Sequence, residues 1–449
     1  MTVAVIVLAA GQGTRMNSDL PKVLHPLGAA PLLAHALAAA ATVDPSRLVV
    51  VAGHEAAQVT QAVALWAPEA EVVLQEPQLG TGHAVAQALP ALAGFEGRVL
   101  VVFGDTPFIR PETLRAMLDT AADLVVLGFD AADPGRYGRL VMGAGGLERI
   151  VEFNDAAPAE RAVTLCNSGV VCADAALLGR LVGGLANHNA AAEYYLTDIV
   201  AAARAEGRAI EVVTCPEAET LGINTRAELA RAEALFQARA RAEALENGVT
   251  LSAPETVFFA LDTWVGRDAV IGPNVVFGPG VTIESGAEVR AFCHLEGCHI
   301  SAGATIGPFA RLRPGAEIGP DAHIGNFVEI KNSVLDEGAK VGHLTYLGDA
   351  HVGERANIGA GTVTCNYDGV MKHRTEIGAD AFIGSDTMLV APVTVGAGAL
   401  TGSGSVITED VPAGAVALGR AKQVNKPGLA AKLFDRLRAE KARRNGGKA

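Results

Sequence analysis

The 449-residue sequence has no basic excess: 36 Lys and Arg stand against 49 Asp and Glu, a formal net charge of -13. Coating nucleic acid requires a broad basic surface that neutralises backbone phosphates, so that class of function is excluded. A small polyanionic substrate stays open, since it needs only a local group of Arg and Lys. No apolar run reaches the ~20 residues of a membrane span. The opening Met1-Thr2-Val3-Ala4-Val5 lacks a basic n-region and runs quickly into a glycine turn, so it reads as a first strand and not as a secretory signal. Among Cys166, Cys172, Cys215, Cys293, Cys298 and Cys365 there is no Cys-x-x-Cys spacing, and Cys293 with Cys298 lacks the second half of a metal site. Reduced, packed thiols in a cytoplasmic protein are the expectation.

What the chain has instead is a six-residue beat, an aliphatic or aromatic residue followed by Gly. It runs through Val265-Gly266, Ile271-Gly272, Phe277-Gly278, Ile306-Gly307, Ile318-Gly319 and Ile324-Gly325, and resumes from Val352-Gly353 to Val395-Gly396. A period of six fits neither a helix nor a two-faced strand; it fits one short strand plus one corner per unit, with Gly allowing the bend. Coils of such units stack as a parallel β-helix, paired at about 4.8 Å around a ladder of aliphatic side chains.

At this length two or three domains are expected. Residues 1–225 alternate apolar runs with Ala-rich amphipathic segments, which predicts an α/β domain with a largely parallel sheet. Strands are predicted over residues 3–8, 48–51, 71–74, 99–103 and 124–127, and helices over 31–41, 56–66, 81–89 and 111–120. Residues 226–248 read as a long solvated linker helix ending at Asn247-Gly248. The β-helix occupies 249–421, and the basic tail 422–449 reads as a solvated surface helix with a frayed end.

Two places carry chemistry. After the first strand comes Leu8-Ala9-Ala10-Gly11-Gln12-Gly13-Thr14-Arg15-Met16, at the carboxyl edge where α/β sheets bind ligands. Met16 replaces the third glycine of a dinucleotide fingerprint, and no Gly-Lys-Thr follows as in a Walker loop. Gly11 and Gly13 let backbone N–H groups approach a phosphate, while Arg15 and Lys22 supply positive charge. A second apolar strand ends in Gly104-Asp105-Thr106-Pro107. Asp105 suits Mg²⁺, which takes one or two protein oxygens plus substrate phosphates, with Asn224 as a second ligand; taken alone, Asp105 reads equally well as a turn or helix-capping residue.

In the repeat region the informative places are where the beat slips, near residues 331–340 and 364–376, because insertions project from a solenoid and build sites. There lie Val341-Gly342-His343-Leu344-Thr345-Tyr346-Leu347-Gly348-Asp349 and Cys365-Asn366-Tyr367-Asp368-Gly369. His343 alone is as readily structural as catalytic.

The amino-terminal string, together with Pro21-Lys22-Val23-Leu24, resembles the sugar nucleotidyltransferases. The resemblance implies that Leu8, Ala9, Ala10, Gly11, Arg15, Lys22, Gln75, Gly80, Thr81, Gly104, Asp105, Gly138, Glu152, Asn167 and Asn224 bind nucleotide and sugar. Phe103 and Ser168 stand where relatives often have Tyr and Thr. Gly-His-Leu-Thr-Tyr-Leu-Gly-Asp and Cys-Asn-Tyr-Asp-Gly resemble the coenzyme A-dependent hexapeptide acyltransferases. Both motif sets together resemble, over nearly the whole length, the family of bifunctional enzymes that make UDP-N-acetylglucosamine from glucosamine 1-phosphate. That family implies a Rossmann-like α/β domain joined by a long helix to a left-handed parallel β-helix, Mg²⁺, acetyl-coenzyme A and UTP as co-substrates, and a homotrimer with shared active sites. It implies His343 as general base, for which an imidazole's ordinary pKa of about 6.5 is suited. It further implies Arg313 and Lys331 on the sugar phosphate, Tyr346, Asn357, Asn366 and Tyr367 shaping the pocket, and Ser385, Ser403 and Arg420 on coenzyme A; Ser403 departs from the small apolar residue often found there. A single-activity sugar-1-phosphate nucleotidyltransferase with a purely structural or oligomerising β-helix is the alternative.

Overall fold

The computed structural model describes residues 2–446, so the last three residues of the basic tail lie outside the described part. Contacts divide the chain into two compact units. The first runs to Val265 and takes in Pro273–Val281; the second comprises Gly266–Gly272 and everything from Thr282 on.

The first unit is built on a sheet whose strands lie in the order Ile210–Thr214, Leu124–Asp130, Leu165–Asp174, Arg98–Phe103, Val3–Ala9, Arg47–Ala52 and Glu71–Leu74. The apolar run Val3–Ala9 becomes a central strand because both its faces are covered. Val3, Val5, Val7 and Ala9 enter one core with the helices Leu32–Ala41 and Pro111–Asp119, while Ala4, Ile6 and Leu8 enter the other with Thr81–Ala88 and Ala175–Gly183. The sheet is less parallel than its apolar runs suggest. Leu165–Asp174 runs antiparallel to both neighbours, with an irregularity between Asn167 and Val171, and continues into the hairpin of Arg139–Gly143 and Gly146–Val151. Register brings Leu8 opposite Phe103, and Ala9 opposite Ala52, which in turn faces Leu74. The loops after these four strands therefore leave from one edge.

The helix Arg226–Glu246 starts at a capping box, Thr225 with Glu228, and ends at Asn247 before Gly248 with φ 85°. It is not solvated all round as its composition implied. Ala232 is buried, and Leu229 and Phe236 pack with it on Leu27, Leu32, Phe108 and Ile223. The helix thus belongs to the first unit.

The second unit is a three-sided parallel β-helix. One side stacks Glu288–Val289, Thr305–Ile306, His323–Asn326, Lys340–His343, Asn357–Ile358, Phe382–Ile383 and Leu400–Thr401; another stacks Arg311–Leu312, Glu329–Lys331, Tyr346–Gly348, Val363–Cys365 and Met388–Val390; the third stacks Cys298–Ile300, Ala316–Ile318, Ser333–Leu335, Ala350–Val352, Thr375–Ile377 and Val393–Val395. Ile300, Ile306, Leu312, Ile324, Ile330, Val341 and Leu347 point inward and are wholly buried. The repeated glycine has a different reason from the bend first ascribed to it. A Cβ on Gly384 would stand 2.4 Å from the Thr401 carbonyl oxygen, and one on Gly378 2.4 Å from Ala397 N, so it is the next coil's backbone that excludes a side chain. The tail forms the exposed helix Leu429–Gly446.

Candidate functional site

At the common edge of the first unit's sheet lies a cleft lined by Leu8, Ala9, Ala10, Gly11, Lys22, Gln75, Gly80, Thr81 and Asp105, joined by Gln12, Gln78 and Phe103. Gly13 has φ 66°, and a Cβ there would stand 2.5 Å from the Lys22 Cβ, so the loop closes over Lys22 only with glycine at this position. Buried Gln75 donates from Nε2 to the Gly80 carbonyl at 2.9 Å and lies 3.1 Å from His83 Nδ1. Gln78 Nε2 donates to the Ala10 carbonyl at 2.7 Å, tying the strand-end loops together. Gly104 sits buried beneath, its N–H on the Leu8 carbonyl.

The charged groups meet beside this cleft. Lys22 Nζ donates to Asp105 Oδ2 and, at 3.0 Å, to Asn224 Oδ1, which also accepts from Arg15 Nη2 at 3.0 Å. Asn224 is held by its own N–H on Glu228 Oε2 at 2.7 Å, and Ile223 N–H reaches the Asp105 carbonyl. The Asp105 and Asn224 oxygens thus converge on one cation, here the Lys22 ammonium, and the same pair is a fitting donor set for a hard divalent cation completed by phosphate oxygens. Among the described residues no three His, Cys, Asp or Glu side chains cluster in a metal-binding group.

An adjoining hollow shares Thr81 and Phe103 and is lined by Arg136, Tyr137, Gly138, Glu152, Asn167 and Thr197. Burial pushes the Glu152 carboxyl above the usual range, against the hydrogen bond that Thr197 Oγ1 donates to it at 3.2 Å. Asn167 N–H donates to the Gly138 carbonyl at 2.8 Å, and its Oδ1 accepts from Gly169 N–H at 3.0 Å. The Ser168 hydroxyl donates to the Leu127 carbonyl at 2.7 Å, so this departure serves the backbone. Phe103 packs on Gly169. Thr197 was invisible to motif reading because it arrives from a helical segment far from the other lining residues.

In the second unit, exposed His343 ends the strand Lys340–His343, and its Nδ1 is hydrogen-bonded to Asn326 Oδ1, one coil earlier in register. Arg313 follows the strand Arg311–Leu312, and Lys331 ends its paired strand of the next coil, Glu329–Lys331. Arg313 Nη1 bridges to Glu329 Oε1 at 2.8 Å. The Lys372 ammonium beside Lys331, together with Arg313, holds the Lys331 pKa below the usual lysine range. Glu329 on Arg313 and Asp349 beside Lys331 offset part of this positive charge. Lys372 comes from the second slip of the beat, which marked the loop but not this residue. Burial opposes ionisation of Asp349, but the amides of Asn332 and Asn366 and the charges of Lys372 and Lys331 outweigh it and leave the carboxyl below its usual range. Tyr346 OH and the Asn366 amide converge on Gly348, where a Cβ would be 2.3 Å from the hydroxyl and 2.8 Å from Asn366 Nδ2. Tyr367 is exposed in a loop that bridges back to Lys372. Asn357, Ser385, Ser403 and Arg420 lie in later coils, Ser385 and Ser403 at exposed corners linked by Gly404 N–H on the Ser385 carbonyl. They are not drawn into the Lys331 cluster.

Comparison with known proteins agrees with this division. Residues 5–245 match the MobA-like NTP transferase domain, and residues 262–297, 297–332 and 374–409 match the bacterial transferase hexapeptide (six repeats), the repeat of left-handed parallel β-helices. The chain is 73% identical over 439 residues to the bifunctional protein GlmU of Paracoccus denitrificans, covering 98% of each chain. It is 71% identical over 443 residues to that of Cereibacter sphaeroides, again with 98% of each covered, and 61% identical over 449 residues to that of Roseobacter denitrificans, covering both in full. With a nucleotidyltransferase fold in one unit and a hexapeptide transferase fold in the other, the chain belongs to the GlmU family of bifunctional proteins.

Proposed function

We propose that this chain transfers acetyl from acetyl-coenzyme A to glucosamine 1-phosphate, then uridylyl from UTP to the resulting N-acetylglucosamine 1-phosphate, giving UDP-N-acetylglucosamine and pyrophosphate. The observation that carries this reading over a nucleotidyltransferase with an inert solenoid is His343, exposed at a strand end with its Nδ1 on Asn326 Oδ1 of the preceding coil. A scaffold has no use for an exposed imidazole held in one tautomer; transfer of acetyl to an amine does. In the acetyl step the substrate amine attacks the thioester carbonyl carbon, the C–S bond breaks, and the coenzyme thiolate leaves. With Nδ1–H donated to Asn326 Oδ1, the lone pair of His343 lies on Nε2, which takes the proton from the amine and returns it to the thiolate.

In the uridylyl step a sugar-phosphate oxygen attacks the α-phosphorus of UTP and the bond to pyrophosphate breaks. No protein nucleophile is needed; Lys22 and Arg15 neutralise charge, and the Gly11–Gly13 backbone binds phosphate. Asp105 and Asn224 would hold Mg²⁺, which when bound supplies further charge neutralisation. A homotrimer in the cytoplasm completes the proposal. The six cysteines are free thiols, and no helix among the described residues is long and apolar enough to cross a membrane. Phe292, Phe309 and Phe327 support self-association: they are exposed on successive coils, stacked at 4.9 and 5.3 Å, and the column ends at exposed Leu344 next to His343.

The test separates the two halves in one preparation, following free thiol and pyrophosphate independently. Asp105→Asn is expected to lose uridylyl transfer by about 100-fold or more while acetyl transfer is kept, and His343→Ala to do the reverse. Parallel loss of both activities in either variant would refute the assignment.

A further inference from the structure

Among the described residues the largest fully buried side chain is a charged one. Arg139 is 1% exposed, and its hydrogen bonds go to backbone carbonyls: Nη2 to Gly135 at 3.0 Å, Nη1 to Tyr137, and both Nε and Nη2 to Arg161 at 3.3 Å. A guanidinium is costly to remove from water unless its N–H groups are satisfied, so a buried one that answers to carbonyls alone calls for a reason.

The reason lies in what those carbonyls belong to. Arg139 opens the strand Arg139–Gly143, and its side chain folds back on the turn formed by residues 135–138. Other contacts to that turn are single ones at each residue: Tyr137 N–H reaches the Pro134 carbonyl and its ring meets Phe129 edge-on at 4.9 Å, Gly135 N–H reaches Asp133 Oδ1, and Arg136 Nη2 reaches Asn154 Oδ1 at 3.3 Å, while Gly135 and Arg136 are exposed. Yet it carries three lining groups of the sugar-facing hollow, Arg136, Tyr137 and Gly138, whereas Arg139 itself does not line it. Gly138 accepts from Asn167 N–H and lies against Glu152, whose carboxylate would be 3.4 Å from a Cβ at that position. Phe153, adjacent to Glu152, presents its ring to the guanidinium carbons of Arg161, Arg136 and Arg139 at 4.6, 5.5 and 6.0 Å. One planar fork thus ties the turn to the Arg161 carbonyl and faces the ring beside Glu152. A lysine ammonium, a single nitrogen, cannot meet the Tyr137 and Arg161 carbonyls as Nη1 and Nε do.

We propose that Arg139 is a positioning residue for the uridylyl half, setting Gly138 and, through it, Asn167 and Glu152 against the sugar 1-phosphate. The inference rests on reading that cleft as the nucleotidyl site. Full-length Arg139→Lys is compared with the unaltered protein for melting temperature, for KM toward N-acetylglucosamine 1-phosphate and toward UTP, and for acetyl transfer as a control within the same chain. The expected result is a rise of about tenfold in the sugar-phosphate KM, with the UTP KM within about twofold and acetyl transfer unchanged. An unchanged sugar-phosphate KM, an equal rise in both KM values, or a loss confined to kcat overturns the proposal, since a merely structural role gives no split. Asn167→Ala is measured alongside: if it raises the sugar-phosphate KM and Arg139→Lys does not, this inference fails alone; if neither does, the reading of the cleft fails as well. Should Arg139→Lys not fold, Phe153→Leu, which removes the ring packed on the guanidinium, carries the same expected split and the same overturning results.

Discussion

A single amide governs which nitrogen of His343 is available. Asn326 Oδ1 accepts from Nδ1, which leaves the lone pair on Nε2, and among the described residues no second hydrogen bond to the ring is seen. Asn326→Ala should lower the acetyl-transfer kcat by about 10- to 100-fold, since the ring loses both its tautomer and its orientation. Asn326→Asp should instead favour the imidazolium and move the acid limb of the pH–rate profile to higher pH. A profile identical to that of the unaltered protein in both variants would show that this contact does not tune the base. His343 is singled out in the sequence by the resemblance of Gly-His-Leu-Thr-Tyr-Leu-Gly-Asp, since His294, His299, His323, His351 and His373 share the repeat region with it. Asn326 is not singled out, because asparagine is unremarkable at a corner; only the coil register puts residues 17 positions apart side by side.

Among the elements, the loop after Asn366 shows how a slip in the repeat is made rigid. His373 Nε2 lies 2.7 Å from Asp368 Oδ2, while the N–H groups of Met371 and Val370 donate to Oδ1. The imidazole first, and then these amides, pull the Asp368 carboxyl down to about 2. A folded pKa below the unfolded carboxylate value of ~3.9 means the contribution is fully present above that value and is lost as pH falls through about 2. Asp368→Asn should therefore speed amide exchange at Val370 and Met371 several-fold at neutral pH, with the difference from the unaltered protein closing as pH falls from about 4 to about 2. A difference that persists at pH 2 would contradict this account. The strands and helices of the first unit were mostly legible as apolar runs and amphipathic spacings. The antiparallel Leu165–Asp174 was not, because Cys166, Asn167, Ser168 and Gly169 interrupt its apolar pattern and its irregular register follows from pairing. The packed stripe of Arg226–Glu246 escaped notice for a similar reason: Leu229, Ala232 and Phe236 are few among charges, and their partners lie in distant segments.

For the molecule as a whole, the proposed self-association rests on the phenylalanine column. Phe292, Phe309 and Phe327 have φ of 62°, 57° and 56°, a left-handed conformation that bulky residues seldom adopt, and they remain 52%, 46% and 55% exposed. Stacked rings in strained, solvent-facing positions suit burial against a second copy. Phe309→Asp with Phe327→Asp should lower the mass seen by sedimentation from that of the assembly to that of a single chain and depress acetyl transfer, leaving uridylyl transfer largely intact. An unaltered mass would remove this face from the assembly. The two fold types and the place of the glycine-rich loop at the carboxyl edge of the sheet follow from sequence alone, because periodicity and turn residues are local properties of a chain. Tertiary structure alone decided that Asp105 and Asn224 share the Lys22 ammonium, that Asn326 meets His343 across the coils, and that Arg139 is buried behind the turn of residues 135–138. Those facts depend on distances between residues remote in sequence, and through-space charge and burial are set by packing, which no local pattern records.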